Sequence, residues 1–352
     1  MTLTLILAAA CTTPPAPEPE PGTGGPSTDG SSPTPPHPQD SGADSGADLP
    51  PEPLVFVGVG VSKDSDGCGL VSDGTVRCWG SSKFLKATPG PVVRLVQLAV
   101  DDGNQCGVAT DGRIGCWCYD SPAWSAHVLC GQEPTGVYAR VEVNNELACA
   151  QGDAGTLDCF DPREGSHAMV RAQPTEPLLD YDIDDNVGCG IRTDGTPTCW
   201  GNTAQFYWLI TPPDEPYGEF GAVGDGPPTE LTYTDIAIGQ RFGCALATDG
   251  EIYCWGRDAY QQDMPDPPPG PYTSVSAEGV EACAIRDTGH VQCWGTTHPT
   301  QAPIPDPVVQ VEAPVDLTFT SVDVNVGEAC GVTTDGALSC WGEGAYDDLP
   351  EL

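Results

Sequence analysis

Seven times the chain writes one unit: a cysteine, nine residues that include a glycine turn, a second cysteine, then an aromatic residue in all copies. The copies open at Cys68, Cys106, Cys149, Cys189, Cys244, Cys283 and Cys330, spaced 38 to 55 residues apart. The first and last read CGLVSDGTVRCWG and CGVTTDGALSCWG. The third is the degenerate copy, with Ala154, Phe160 and Asp161 where others carry Asp, Trp and Gly. A repeat this long is one supersecondary unit that cannot bury its apolar face alone. It must stack on its neighbours.

Each copy has the pattern of a β-hairpin, with a short apolar run, a turn signal such as Asp-Gly, and a second β-prone run. If Cys244 faces Cys254 across the hairpin, Leu246 meets Ile252 and the loop closes on Thr248-Asp249-Gly250. Such a loop is a type I turn followed by a bulge whose last residue needs positive φ, and all seven copies place Gly there. The same register pairs Leu70 with Val76, Val108 with Ile114, Ile285 with Val291 and Val332 with Leu338. Gln151 with Leu157 and Ile191 with Pro197 break the apolar pairing.

A third strand precedes each hairpin. Large residues stand eleven before the first cysteine, namely Val57, Leu95, Tyr138, Leu178, Tyr233, Tyr272 and Phe319. Further positions eight and six before it, such as Ile236 and Ile238, alternate as a half-buried strand does. The variable stretch after each Trp-Gly offers a fourth strand.

Fourteen of the 17 cysteines fall in these pairs. Zinc knuckles need Cys-x2-Cys spacing, which is absent. Directly opposed residues on antiparallel strands lie within disulfide reach. The expected bridges are Cys68–Cys78, Cys106–Cys116, Cys149–Cys159, Cys189–Cys199, Cys244–Cys254, Cys283–Cys293 and Cys330–Cys340. Cys118 and Cys130 enclose an insert and are expected to form an eighth. So many cysteines imply an oxidising compartment.

The remaining cysteine is Cys11, reached by the apolar run Leu3-Thr4-Leu5-Ile6-Leu7-Ala8-Ala9-Ala10. That run is too short to span a bilayer. Residues 1–11 resemble the end of a bacterial lipoprotein signal, which implies lipidation of Cys11. Residues 12–53 are dominated by Pro, Gly, Ser, Thr, Ala and Asp, without an aromatic residue, and read as a disordered linker. The folded body is expected over 54–352. This layout places the protein in the cell envelope, on the outer membrane or cell surface, or secreted, and joins it to membrane only through the anchor.

Residues 55–342 resemble the repeat family of the regulator of chromosome condensation, in its secreted, cysteine-paired bacterial form. The likeness rests on C-A/G-x-x-x-D-G-x-x-x-C-W-G following an aromatic-x-x-apolar-x-apolar strand. It implies an all-β fold, a seven-bladed β-propeller, since seven copies make one closed ring. The chromatin and nucleotide-exchange activities of the eukaryotic namesake are not carried over. The chain has 13 basic against 51 acidic residues, a net charge of −38, which opposes contact with nucleic acid.

The sequence offers no catalytic motif. His37, His127, His167, His290 and His298 lack metal spacing, and no phosphate loop, dinucleotide fingerprint or Gly-x-Ser-x-Gly elbow occurs. No cofactor and no metal are expected. The Asp-Gly aspartates Asp73, Asp111, Asp194, Asp249 and Asp335 read as turn residues. Recognition sites on rigid scaffolds sit in loops. The longest insert carries Phe206, Tyr207, Trp208, Tyr217 and Phe220, which suit a protein interface or a sugar-stacking site or, equally, a local lid. The reading is a non-enzymatic scaffold that binds a protein or glycan. The alternatives are a structural surface protein without a ligand and a polysaccharide hydrolase or lyase.

Overall fold

The computed structural model describes residues 53–352 except 63–65, 81–93, 102–103, 119–128, 130, 132, 145, 162–167, 185–186, 202–226, 229, 240–241, 257–265, 296–311 and 343–348. Over these residues the protein is a seven-bladed β-propeller. Each blade is a three-stranded antiparallel sheet in sequence order. The inner strands are Phe56–Ser62, Leu95–Asp101, Arg140–Val143, Leu178–Asp184, Tyr233–Gly239, Tyr272–Glu278 and Phe319–Asn325 for blades 1 to 7. The middle and outer strands form the cysteine hairpins, for instance Phe242–Ala247 with Ile252–Gly256 in blade 5. No described residue forms a fourth strand, and the stretches after each Trp-Gly lie largely outside the described residues. One short helix, Ala168–Ala172, follows blade 3.

Hairpin register follows the cysteine arithmetic. Cys244 pairs with Cys254 and Leu246 with Ile252, and the two non-apolar pairs form as well, Gln151 with Leu157 and Ile191 with Pro197. The turn glycines Gly74, Gly112, Gly155, Gly195, Gly250, Gly289 and Gly336 all have φ between 80° and 88°. There an L side chain would be strained. All seven hairpin bridges form, with Cα atoms 3.9 to 4.0 Å apart.

Blade 1 corrects the reading of its inner strand. Gly60, eight residues before Cys68, pairs with it, whereas Ala237, seven before Cys244, holds that place in blade 5. The chain has one more residue between Ser62 and Asp66 than between Gly239 and Phe242. The pleat therefore runs one residue out of step, because alternation has a period of two. Phe56 is the buried residue and Val57, the expected one, is 53 % exposed.

Blades stack through unlike faces. The disulfide face of one blade meets the aromatic face of the next. Trp255 of blade 5 packs with Cys189 and Cys199 of blade 4, and Trp341 of blade 7 with Cys283 and Cys293 of blade 6. Trp79 of blade 1 packs with Cys330 and Cys340 of blade 7 and completes the circuit. Opposite the Trp the middle strand carries a small residue in every Trp-bearing blade but the second, as at Gly67, Gly188 and Gly243, and blade 2 has Gln105 there. A Cβ on Gly188 would lie 2.3 Å from the Trp200 ring. The aromatic residues are thus interblade filling. Backbone bonds close the same circuit: Leu95 N–H donates to Gly74 O, and Phe56 N–H to Gly336 O, each at 2.9 Å.

Candidate functional site

An inner strand is the edge of its sheet, so its channel-side N–H groups need acceptors from elsewhere. The preceding blade supplies them. Val141 N–H of blade 3 donates to Gln97 Oε1 of blade 2 at 3.1 Å. Ile236 and Ile238 N–H of blade 5 donate to Asp180 Oδ2 and Asp182 Oδ2 of blade 4 at 2.9 and 2.7 Å. Val275 N–H of blade 6 donates to Asp235 Oδ2 of blade 5 at 2.9 Å. Val324 N–H of blade 7 donates to Ser276 Oγ of blade 6 at 3.2 Å. Val61 N–H of blade 1 donates to Asp323 Oδ2 of blade 7 at 2.8 Å. One device therefore joins neighbouring blades and also the last blade to the first.

Asp182, Asp235, Ser276 and Asp323 line an axial cavity of ≈ 240 Å³, to which every inner strand contributes. Glu142, Asp182, Asp235 and Asp323 face it beside a single guanidinium, Arg140. Arg140 donates from Nε to Glu142 at 2.8 Å and from Nη1 to Asp180. Its side chain is 32 % exposed and that of Glu142 23 %, an exposure directed into the channel and not to the outer surface.

The channel holds more carboxyls than cations, and their proton affinities record it. Burial, then the charge of Glu142, raises the Asp323 pKa to about 7. Burial first and the charge of Glu142 second hold Asp182 well above the carboxylate range. Burial raises Asp235, with the adjacent Asp180 charge and their shared hydrogen bond adding to it. Glu142 is raised by burial despite Arg140. Burial opposes the charge on Arg140, but Glu142 and Asp180 overcome it and keep the guanidinium protonated. The ring can thus hold protons and tie strands together. Among the described residues no group of three or more His, Cys, Asp or Glu side chains is arranged to hold a metal.

Sequence reasoning missed this cluster, because carboxylates are so abundant that a pair of them argues nothing. The signal that could have found it is the polar complement of the inner-strand alternation: nine and seven residues before the first cysteine stand Arg140 and Glu142, Asp180 and Asp182, Asp235 and Ala237. The turn aspartates behave as read. Asp73 accepts from Thr75 N–H at 2.9 Å and Asp194 from Thr196 N–H at 3.0 Å. The hydrogen bonds from Thr75 lower the Asp73 pKa to about 2. His290 is exposed, with Nδ1 3.1 Å from Thr288 Oγ1. The other four histidines, Cys11, all but the last residue of the 12–53 linker, the Cys118 side chain and Cys130, and the aromatic insert with Phe206, Tyr207, Trp208, Tyr217 and Phe220 lie outside the described residues. No described helix is long and apolar enough to cross a membrane.

Residues 233–262, the inner strand and hairpin of blade 5, match the family described as the regulator of chromosome condensation (RCC1) repeat. A search of curated proteins finds no match. Solved structures share the architecture. The CRINKLY WD40 ectodomain of the Arabidopsis thaliana receptor kinase ACR4 is 21 % identical, covering 84 % of this chain and 99 % of its own, at a TM-score of 0.62. The ectodomain of the Physcomitrella patens receptor kinase CR4 is 24 % identical, covering 85 % and 77 %, at 0.63. Prp20p from Saccharomyces cerevisiae is 15 % identical, covering 83 % of each chain, at 0.55. At these identities the likeness is one of fold.

Proposed function

We propose that this protein is a non-enzymatic binding scaffold of an oxidising compartment, held to the cell envelope by a lipid on Cys11, whose propeller presents a face and its loop inserts to a protein or glycan. One observation carries the reading: the channel carboxyls are spent on stitching blade to blade. Their protons and lone pairs hold the ring closed, which leaves a rigid body whose variable surfaces are free for recognition. Seven hairpin disulfides support the compartment. The structural relatives fit the same use. The A. thaliana and P. patens structures are receptor-kinase ectodomains, and Prp20p is described with binding to Gsp1p and histones. Because a fold hosts many functions, none of these partners is transferred.

The test is chemical crosslinking on intact envelopes of the native organism, with the linked residues mapped by mass spectrometry. The expected result is one recurrent partner, linked near residues 206–220, 118–130 or one propeller face. Links that only follow protein abundance would overturn a specific protein partner. Turnover of a defined polysaccharide by the purified chain would replace the scaffold reading with an enzymatic one.

A further inference from the structure

The seven inner strands begin beside the turns of the preceding blades, so the turn-side face carries, at each blade, the residue just after the strand's first buried side chain. In blades 5, 6 and 7 that residue is threonine. Thr234, Thr273 and Thr320 donate from Oγ1 to the carbonyls of Leu246, Ile285 and Val332 at 3.4, 3.2 and 3.2 Å. In blades 1, 2 and 4 it is Val57, Val96 and Leu179, which are 53 %, 58 % and 55 % exposed. Blade 3 places Ala139 there, next to Val137, which is 64 % exposed. This face is therefore divided into a hydroxyl arc on three consecutive blades and an apolar arc on four.

The apolar arc is not what the fold asks for. Threonine is nearly isosteric with valine, is equally suited to a strand, and in this same molecule gains a hydrogen bond at the same place. Keeping Val57 and Val96 exposed gives up that bond and puts apolar side chains of successive blades into water, as an interaction surface does.

We infer that this arc is a docking surface for a basic protein, one that presents apolar side chains bordered by Lys or Arg. The inference rests on the scaffold reading and deepens it by choosing a face. Charge chooses the partner. All seven turns on this side carry an aspartate at one of their two central positions. Side-chain hydrogen bonds from Thr75 and Thr196 hold the Asp73 and Asp194 carboxyls below their ordinary range, so they stay ionised. The arginines Arg94, Arg113 and Arg192 are already bound to Asp73, Asp111 and Glu176 at 2.7 to 3.0 Å. With a chain charge of −38, a second copy or an anionic lipid surface is repelled.

The test uses the full-length chain and a fluorescent amphipathic peptide of leucine and lysine, followed by anisotropy. The comparison peptides are a leucine–glutamate version and a serine–lysine version. The variant is Val57→Thr with Val96→Thr and Leu179→Thr, which copies blades 5 to 7 and should retain the wild-type melting curve. The expected result is binding of the leucine–lysine peptide that weakens at least tenfold in the variant and at least tenfold with either comparison peptide. Equal binding by the variant overturns the face. Serine–lysine binding as tight as leucine–lysine reduces the effect to bulk charge and overturns it too. So does dimerisation of the wild type that the variant abolishes, or binding to phosphatidylcholine vesicles in place of peptide. If envelope crosslinking returns the same partner for variant and wild type, this face is overturned while the scaffold reading stands.

Discussion

The seam between blades 4 and 5 and the seam between blades 1 and 2 solve the same problem by opposite means. Across the first, Asp180 and Asp182 accept two backbone N–H groups of the next inner strand. A packed cluster with Cys189, Cys199, Tyr233 and Trp255 lies behind them. Across the second, Gly58 and Gly60 stand where those carboxylates would be, and they have no side chain to extend. Glycine instead permits close approach: a Cβ on Gly60 would lie 2.8 Å from Val100 Cγ2. The seam's apolar cluster is a small one around Leu70, Leu95 and Trp117. Gln105, fully buried, occupies the small-residue position under Trp117, and neither of its amide atoms has a hydrogen-bond partner among the described residues. The lesson is that the joint where the two ends meet is not a weak one. The 7-to-1 closure has both the Asp323 stitch and the Gly336 backbone bond, whereas the glycine seam lies inside the continuous chain.

The largest effect should come from stripping the strong seam. Asp180→Ala with Asp182→Ala leaves two buried N–H groups without acceptors and takes a carboxylate from Arg140. Stability should fall by about 3–5 kcal/mol in denaturant unfolding. A loss below about 1 kcal/mol would show that the stitches are incidental.

A pH change should reach several stitches together. Asp323, Asp182 and Asp235 have raised native pKa values, so the native state holds protons that the unfolded chain releases. Their contribution is fully present below the unfolded carboxyl pKa, near ~4, and for Asp323 is lost as pH rises through about 7. Melting temperature should therefore be higher at pH 5 than at pH 8. The gap should narrow in Asp323→Asn, and amide exchange should change at the 4–5, 5–6 and 7–1 seams but not at 1–2. An unchanged gap in that variant would remove Asp323 as its source.

The smaller predictions repair the weak seam. Gln105→Ala installs the residue that blades 3, 6 and 7 carry there, as Ala148, Ala282 and Ala329. It should stabilise the protein by about 1 kcal/mol by removing a buried amide that has no partner, and a destabilised variant would mean that the amide is satisfied in solution. Gly58→Gln copies Gln97, and its Cβ meets only Leu70 at an ordinary 3.6 Å. A stitch to Leu98 N–H should add about 0.5–1 kcal/mol in thermal unfolding. No gain would mean that the seam is limited by packing.

Much of this fold was legible because it is written locally. Cysteine spacing, the positive-φ glycine and the apolar pairs fix a hairpin within about a dozen residues, and seven such hairpins need one another to bury their faces. The sequence alone thus determined blade number, hairpin register and the seven hairpin disulfides. It failed at Phe56 and Val57, where one extra residue between Ser62 and Asp66 inverts the pleat. It was silent on the channel, since Gln97, Asp180, Asp235, Ser276 and Asp323 are of three residue types and their partners lie 40 to 262 residues away. Only the closed ring decided which backbone each polar side chain meets, and so which carboxyls hold protons and which seam lacks a stitch. The physical reason is that a hydrogen bond to a neighbouring blade depends on where that blade stands, and no local pattern encodes that position.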